Sequence, residues 1–180
     1  FHPKAPVKVL LEALGVNINL NPEQAMECLE TCNFVFLMAK NYHHAFRFAG
    51  SARKSYGKKT YFNLLGPLLN PCNARYRVHG FSDSSQLQNL GKILMNSGVK
   101  RAWLASSEDG LDEISPSKPT NVWEFCQGTE AATFKINPVD FNFPQLKLSD
   151  IKGGDAKVNS GIILRILNNQ ANEAQTACSL

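Results

Sequence analysis

Apolar residues in the middle of the chain change from strand-like runs to helical spacing and back. Residues 76–81 and 99–105 are both strand-like runs. Between them, Asp83 or Ser84 can cap a helix and Gly98 can end it. Four apolar residues fall on one face of that predicted helix: Leu87, Leu90, Ile93 and Leu94. A strand, a helix and a second strand within about thirty residues predict a βαβ unit with a parallel strand pair.

The N-terminal third is predicted to be mainly helical. Residues 7–14 favour a helix that ends at Gly15, a residue suited to a left-handed cap. Asn21 and Pro22 are typical of the cap and the first position of a second helix, which we expect to end near Cys32. The other predicted elements are a strand or buried loop at 34–39, a helix ending at Gly57, an irregular connection at 62–71, a hairpin of 122–125 with 131–136, a loop at 137–149 and a helix at 156–169.

These patterns predict an α/β fold with a largely parallel sheet flanked by helices. At 180 residues the chain is expected to be a single α/β domain spanning residues 1–180. Its first residues show neither a Met nor the order of a signal peptide, so we expect a piece of a longer two-domain protein.

The composition narrows the class of protein without choosing a function. Apolar residues make up 43% and charged residues 19%, as in ordinary globular proteins. No apolar run is long enough to span a membrane. The net charge of +4 suits an anionic small substrate as well as nucleic acid. Five scattered cysteines argue against a disulfide scaffold and for a reducing, cytoplasmic compartment, and Cys28 with Cys32 lacks a second pair at zinc spacing.

An acidic run follows the second strand of the βαβ unit. Residues 108–113 hold four carboxylates, and like charges this close repel unless a cation neutralises them. Open α/β sheets bind ligands at the ends of such strands. Mg²⁺ suits the run because it is usually held by one or two carboxylates, waters and substrate phosphates. The alternative is a solvated acidic turn.

Basic and glycine-rich segments offer further candidates. Arg47, Arg53 and Lys54 lie on a predicted helix but need not share one face, and an arginine directed into a cleft would read a carboxylate. Otherwise these are surface residues. His43 and His44 could position a substrate or shuttle protons, or one is packed and the other exposed. Residues 152–155 open the last helix either as an anion site or as a purely structural turn.

Taken together, five segments resemble the anthranilate phosphoribosyltransferases. They are residues 11–15, Tyr42-His43, the run Phe-Asn-Leu-Leu-Gly-Pro-Leu-Leu-Asn-Pro at 62–71, the run Glu-Asp-Gly-Leu-Asp-Glu-Ile-Ser-Pro at 108–116, and residues 152–156. The resemblance covers residues 9 to about 170. It implies a catalytic domain of the nucleoside phosphorylase and phosphoribosyltransferase type.

The resemblance also implies a reaction, in which anthranilate displaces pyrophosphate from phosphoribosyl pyrophosphate (PRPP) in tryptophan biosynthesis. It implies that Asp112 and Glu113 bind Mg²⁺, that Arg53 meets the anthranilate carboxylate, and that His43 lines the anthranilate tunnel. The family's glycine-rich pyrophosphate loop, its Lys-His-Gly-Asn-Arg segment and the N-terminal helical part that forms its homodimer are absent from this sequence.

Two other functions compete with that transferase. The first is a non-catalytic, nucleic-acid-binding relative of the same fold, which the isoelectric point of about 8.8 permits. The clustered carboxylates argue against nucleic acid as a partner, because they would repel its phosphates. The second is a nucleoside phosphorylase, against which the run at 109–116 argues.

Overall fold

A computed structural model gives the structure of this chain and describes residues 6–58, 62–141 and 146–172. The chain divides into two compact units. The helical unit holds residues 6–58, 62–71 and 154–161, and the sheet unit holds residues 72–141, 146–153 and 162–172. The expectation of one domain within a longer enzyme stays a prediction.

The first two helices begin and end close to where the sequence predicts. Helix α1 spans Val7–Ala13, and Gly15 follows it with a φ of 79°, a conformation that glycine adopts without strain. Helix α2 spans Pro22–Cys32. The Gln24 N–H donates to Asn21 Oδ1 at 2.8 Å, and the Asn21 N–H donates to Gln24 Oε1 at 3.1 Å. This reciprocal cap satisfies two N–H groups that have no partner inside the helix.

The rest of the helical unit differs from prediction in two places. Its elements are α3 (Ala39–Tyr42), a 3₁₀ helix (His44–Ala49), α4 (Gly50–Tyr56) and α5 (Phe62–Leu68). Residues 34–38 form an irregular segment that is only partly buried, not a strand. The irregular connection predicted for residues 62–71 is wrong for residues 62–68, which form α5, while residues 69–71 lie outside any helix.

In the described part of the chain, four strands form one sheet in the order β1-β2-β3-β4. They span Tyr76–Gly80, Arg101–Ser107, Thr120–Cys126 and Ala132–Ile136. β1 and β2 are parallel, as the βαβ unit predicts, and the predicted hairpin of β3 with β4 is also present. The α/β class is confirmed, but a largely parallel sheet is wrong for the described residues. β2 pairs antiparallel with β3, because residues 108–119 join them without the crossover helix that a parallel connection requires.

Helix α6 (Leu87–Asn96) packs on β2 and β3 and forms the core of the sheet unit with them. Its buried residues follow helical spacing and are Leu87, Leu90, Gly91 and Leu94. The sequence places Ile93 on the same face, but Ile93 is 51% exposed because its position on the helix lies to one side of these buried residues. Gly91 is needed where the helix meets the sheet: a Cβ added there would lie 1.9 Å from the nearest ring carbon of Trp123.

We expect Gly91→Ala to destabilise the sheet unit. Trp123 is itself buried, so the added methyl group forces either the ring or α6 to move. Overpacking of this kind costs about 1–3 kcal/mol in the free energy of unfolding, which urea denaturation measures. Gly50→Ala is the matched control, because its backbone is helical and its added Cβ has open space: among the described residues, no atom outside its chain neighbours and its own helix lies within 4 Å. Equal unfolding free energies for the two variants would contradict this packing.

The remaining described elements are short 3₁₀ helices and the C-terminal helix. A 3₁₀ helix, Ser84–Gln86, precedes α6 and is capped by Asp83. Another, Pro138–Phe141, occupies part of the predicted loop, of which residues 142–145 lie outside the described residues. Helix α7 spans Ala156–Leu167. Among the described residues, we find no helix with both the length and the apolar character needed to cross a membrane.

Candidate functional site

The acidic run lies in the turn segment that joins β2 to β3, defined here as residues 108–119. Backbone hydrogen bonds close its base: the Glu108 N–H donates to the Pro119 carbonyl at 3.0 Å, and the Ser107 N–H donates to the Leu111 carbonyl at 3.2 Å. Gly110 has a φ of 85° and allows the chain to reverse. The segment is therefore a folded turn rather than a loose acidic loop.

Asp109 organises this turn from within. Its Oδ2 accepts a hydrogen bond from Ser115 Oγ at 2.6 Å and another from Ser117 Oγ, and its Oδ1 accepts from the Leu111 N–H at 3.2 Å. Ser115 also donates its N–H to Thr120 Oγ1 at 3.0 Å. Ser115, Ser117 and Thr120 are only 2%, 5% and 0% exposed. A buried polar cluster thus fixes the path of the turn.

This cluster keeps Asp109 ionised. Burial by itself raises the pKa of the Asp109 carboxyl. Hydrogen bonds from the side chains of Ser107, Ser115 and Ser117 and from the Leu111 N–H lower that pKa by more than burial raises it. The net pKa therefore lies below the usual value. In the sequence, Asp109 is only one of the four carboxylates of the acidic run. The spacing of the three serines around the carboxylate was the signal available for its structural role.

Glu108 is engaged elsewhere. Its Oε1 lies 2.6 Å from Lys135 Nζ on β4, and both side chains are partly exposed. An exposed ion pair of this kind contributes little to stability. It nevertheless occupies the carboxylate, so two of the four acidic side chains in the run already have partners within the sheet unit.

Asp112 and Glu113 differ from the other two carboxylates. Both are exposed and lie on bends of the turn segment. On a strand, adjacent side chains would face opposite ways, whereas in a turn both can reach one metal. Within the described residues, no hydrogen bond or ion pair engages either carboxylate. Two unengaged carboxylates suit Mg²⁺, which prefers oxygen ligands and keeps several waters or phosphates. No group of three or more His, Cys, Asp or Glu able to hold a metal occurs among residues 6–58, 62–141 and 146–172.

The three basic candidates are in different environments on the helical unit. Arg53 is partly buried on α4, whereas its neighbour Lys54 is exposed. Arg47 is exposed on the preceding 3₁₀ helix, with its guanidinium 4.8 Å from the centre of the Phe48 ring. Of the three, Arg53 is the least exposed.

His43 joins α3 to the following 3₁₀ helix. Its N–H donates to the Ala39 carbonyl at 2.9 Å, and its ring stacks on Phe46 with 5.3 Å between ring centres. His44 is exposed. One packed and one exposed histidine is the arrangement that the sequence offered as the alternative to a pair that positions a substrate or shuttles protons. Tyr42 anchors α3 through a hydrogen bond from its hydroxyl to the Leu20 carbonyl at 3.3 Å. The structure thus places His43 and Arg53 in the helical unit and the two exposed carboxylates in the sheet unit.

The glycine-rich start of α7 is a structural turn. Asp155 Oδ1 accepts the Val158 N–H at 2.9 Å, which makes Asp155 the helix cap. The Gly154 N–H, a candidate anion donor, already donates to Asn159 Oδ1 at 2.8 Å. The structural alternative for this segment therefore accounts for its hydrogen bonds.

Comparison with known proteins extends the resemblance. The model of the glycosyl transferase family, a/b domain, matches residues 9–179. Anthranilate phosphoribosyltransferase of Methanobrevibacter smithii is 42% identical over 171 residues, which cover 95% of this chain and 51% of that protein. The chain thus spans about half the length of the curated relatives it matches.

Solved structures agree. The crystal structure of anthranilate phosphoribosyltransferase from Thermus thermophilus superposes with a TM-score of 0.85 at 31% identity, covering 94% of this chain and 50% of that one. The Saccharomyces cerevisiae enzyme in complex with PRPP and Mg has a TM-score of 0.79 at 22% identity, covering 96% and 56%, and at that identity shows the fold alone. The fold and the match across residues 9–179 establish that the chain belongs to the glycosyl transferase family with this α/β domain.

Proposed function

We propose that this protein is an anthranilate phosphoribosyltransferase, acting in tryptophan biosynthesis. In this reaction the anthranilate amine forms a bond to the sugar carbon of PRPP, the bond from that carbon to pyrophosphate breaks, and the amine loses a proton. The observation that carries the proposal is the difference among the four carboxylates. Glu108 and Asp109 have protein partners, while Asp112 and Glu113 are exposed and unengaged in the segment that resembles the family.

We propose that Asp112 and Glu113 bind Mg²⁺ together with the donor. Their oxygen donors fit a hard cation, and the relative from Saccharomyces cerevisiae has been solved in complex with PRPP and Mg. When bound, Mg²⁺ supplies charge neutralisation for the phosphates of the donor. The work of the protein side chains is to hold the anionic donor and orient the acceptor, since this transfer needs little covalent chemistry from the protein.

We propose that the helical unit supplies the acceptor contacts, with Arg53 pairing with the anthranilate carboxylate and His43 lining its path. A guanidinium binds a carboxylate through two parallel hydrogen bonds, which fixes the orientation of the acid as well as its charge. Partial burial of Arg53 supports this role, because a partly desolvated arginine pairs more strongly than a fully hydrated one.

The complete enzyme is proposed to be a cytoplasmic homodimer, formed through the N-terminal helical part that the family resemblance implies. The relatives are about twice as long as the matched region, so we assign the activity to the complete protein, with residues 1–180 as its α/β domain. The cysteines are scattered and odd in number, which supports a reducing compartment.

The proposal is tested by incubating the complete protein with PRPP, anthranilate and Mg²⁺. We expect equal amounts of pyrophosphate and phosphoribosyl-anthranilate, and no product without Mg²⁺. Cleavage of nucleosides by phosphate, with no transfer to anthranilate, would indicate the phosphorylase instead. Tight, salt-dependent binding of nucleic acid by an inactive protein would favour the non-catalytic alternative.

Replacing Arg53 tests the acceptor contact separately. We expect Arg53→Ala to raise the KM for anthranilate about tenfold to a hundredfold, because a hydrogen bond to a charged group contributes about 1.5–3 kcal/mol. The KM for PRPP should change little. Steady-state kinetics with each substrate varied in turn measures both constants. The control is Lys54→Ala, an exposed neighbour on the same helix, which should leave both close to wild type. Equal increases in the two KM values for Arg53→Ala would contradict the assignment.

A further inference from the structure

The turn segment is held from outside as well as from within. Gly80 is the last residue of β1 and pairs with Ala105 of β2. The ladder continues one residue further, where the Phe81 N–H donates to the Ala105 carbonyl at 2.8 Å. Phe81 is buried, with 6% of its surface exposed. The backbone at Gly80 is therefore fixed by the sheet on one side and by a core residue on the other.

The backbone of Asp112 lies directly against Gly80. A Cβ added at Gly80 would lie 1.5 Å from the Asp112 carbonyl oxygen, 2.4 Å from its carbonyl carbon and 3.2 Å from the Glu113 nitrogen. These are backbone atoms, so no side-chain rotation can relieve the overlap. The peptide would have to move by roughly 2 Å to reach ordinary contact distance. An isolated glycine in a strand often marks such a close approach of another backbone, and this was the sequence signal.

We infer that Gly80 is a positioning residue that sets the location of the Asp112 and Glu113 carboxylates for the metal-bound donor. The inference rests on the function proposed above. The cluster around Asp109 holds the turn segment from within. Because Gly80 has no side chain, the peptide between Asp112 and Glu113 can lie directly against β1. Among the described residues other than the chain neighbours of Gly80, the atoms within 3.2 Å of the added Cβ all belong to the peptide between the two proposed ligands.

Gly80→Ala in the complete protein tests this inference. A displacement of about 1 Å in a reacting group can cost about a hundredfold in rate. We expect kcat/KM for PRPP to fall by about that factor and half-saturation to need more Mg²⁺, with the KM for anthranilate little changed. Mn²⁺ bound in place of Mg²⁺, followed by electron paramagnetic resonance in the presence of PRPP, should show weaker metal binding without relying on turnover.

Gly91→Ala is the matched control, because its added Cβ also overlaps a neighbour, but that neighbour is the Trp123 ring rather than the turn segment. At a temperature where both variants are folded, Gly91→Ala should keep the wild-type Mg²⁺ requirement. The inference is overturned if Gly80→Ala keeps it too, or if both variants shift it equally.

A measurement on the unaltered protein covers the case in which Gly80→Ala does not fold. Mn²⁺ with PRPP should broaden the nuclear magnetic resonance signals of Gly80, Asp112 and Glu113 together, and should spare Gly98, which lies beyond the far end of α6. Broadening that misses Gly80 overturns the inference. A wild-type protein that binds Mn²⁺ and PRPP in this way, but does not transfer to anthranilate, supports the role of Gly80 and contradicts the proposed acceptor.

Discussion

Replacing Asp112 with Asn and Glu113 with Gln together is expected to abolish Mg²⁺-dependent turnover of the complete protein while leaving its fold intact. Each carboxylate supplies a charge-assisted contact of about 1.5–3 kcal/mol, and two such contacts correspond to roughly a 10²–10⁴-fold loss in kcat/KM. Both side chains are exposed and unengaged within the described residues, so no buried partner loses a hydrogen bond. The thermal midpoint should stay nearly unchanged or rise, because like-charge repulsion is relieved.

Glu108→Gln is the control within the same turn. It removes a carboxylate whose partner is Lys135, an exposed ion pair that contributes about 0–1 kcal/mol. We expect near wild-type turnover and an unchanged Mg²⁺ requirement. If the double variant also kept normal activity and Mg²⁺ dependence, the assignment of Asp112 and Glu113 would be wrong. If the double variant unfolded, the acidic run would be structural, as the simplest interpretation of a charged turn has it.

The sequence predicted elements well wherever a local signal determined them. Asn21 and Pro22 fixed the start of α2 because capping involves only residues within one turn. The βαβ unit followed from spacing alone. The antiparallel pairing of β2 with β3 did not, because strand direction depends on the path of residues 108–119, and no periodicity records that path.

The site was predictable only where its residues lie close together in the sequence. A run of four carboxylates is visible in the sequence, but the sequence alone does not separate them. The separation arises when the turn folds, which buries Ser115 and Ser117 around Asp109 and brings Lys135 to Glu108. Asp112 and Glu113 are then left at the surface. The position of Gly80 beneath the turn likewise depends on a contact between residues more than thirty positions apart.

Asp109→Ala is expected to lower the free energy of unfolding at neutral pH by about 2–6 kcal/mol. The change leaves the buried Ser115 hydroxyl without its carboxylate acceptor and removes the acceptor of the Leu111 N–H, and losing a buried hydrogen-bond partner costs about 1–3 kcal/mol each. Urea denaturation measures the difference. Glu108→Ala, at the adjacent position, should cost less than about 1 kcal/mol because its ion pair with Lys135 is exposed.

The pH dependence of this difference distinguishes a structural carboxylate from a merely space-filling residue. The pKa of Asp109 is lower in the folded protein than the unfolded value of about 3.9, so the ionised form is the one that the cluster stabilises. Its contribution is complete above that value and is lost as the pH falls through the folded pKa. The gap between wild type and Asp109→Ala should therefore be constant from pH 7 to about pH 5 and shrink below about pH 4. A gap that stays constant through the acid range would mean that the Asp109 carboxylate packs in the turn without its charge being used, and the cluster would then not be what orders Asp112 and Glu113.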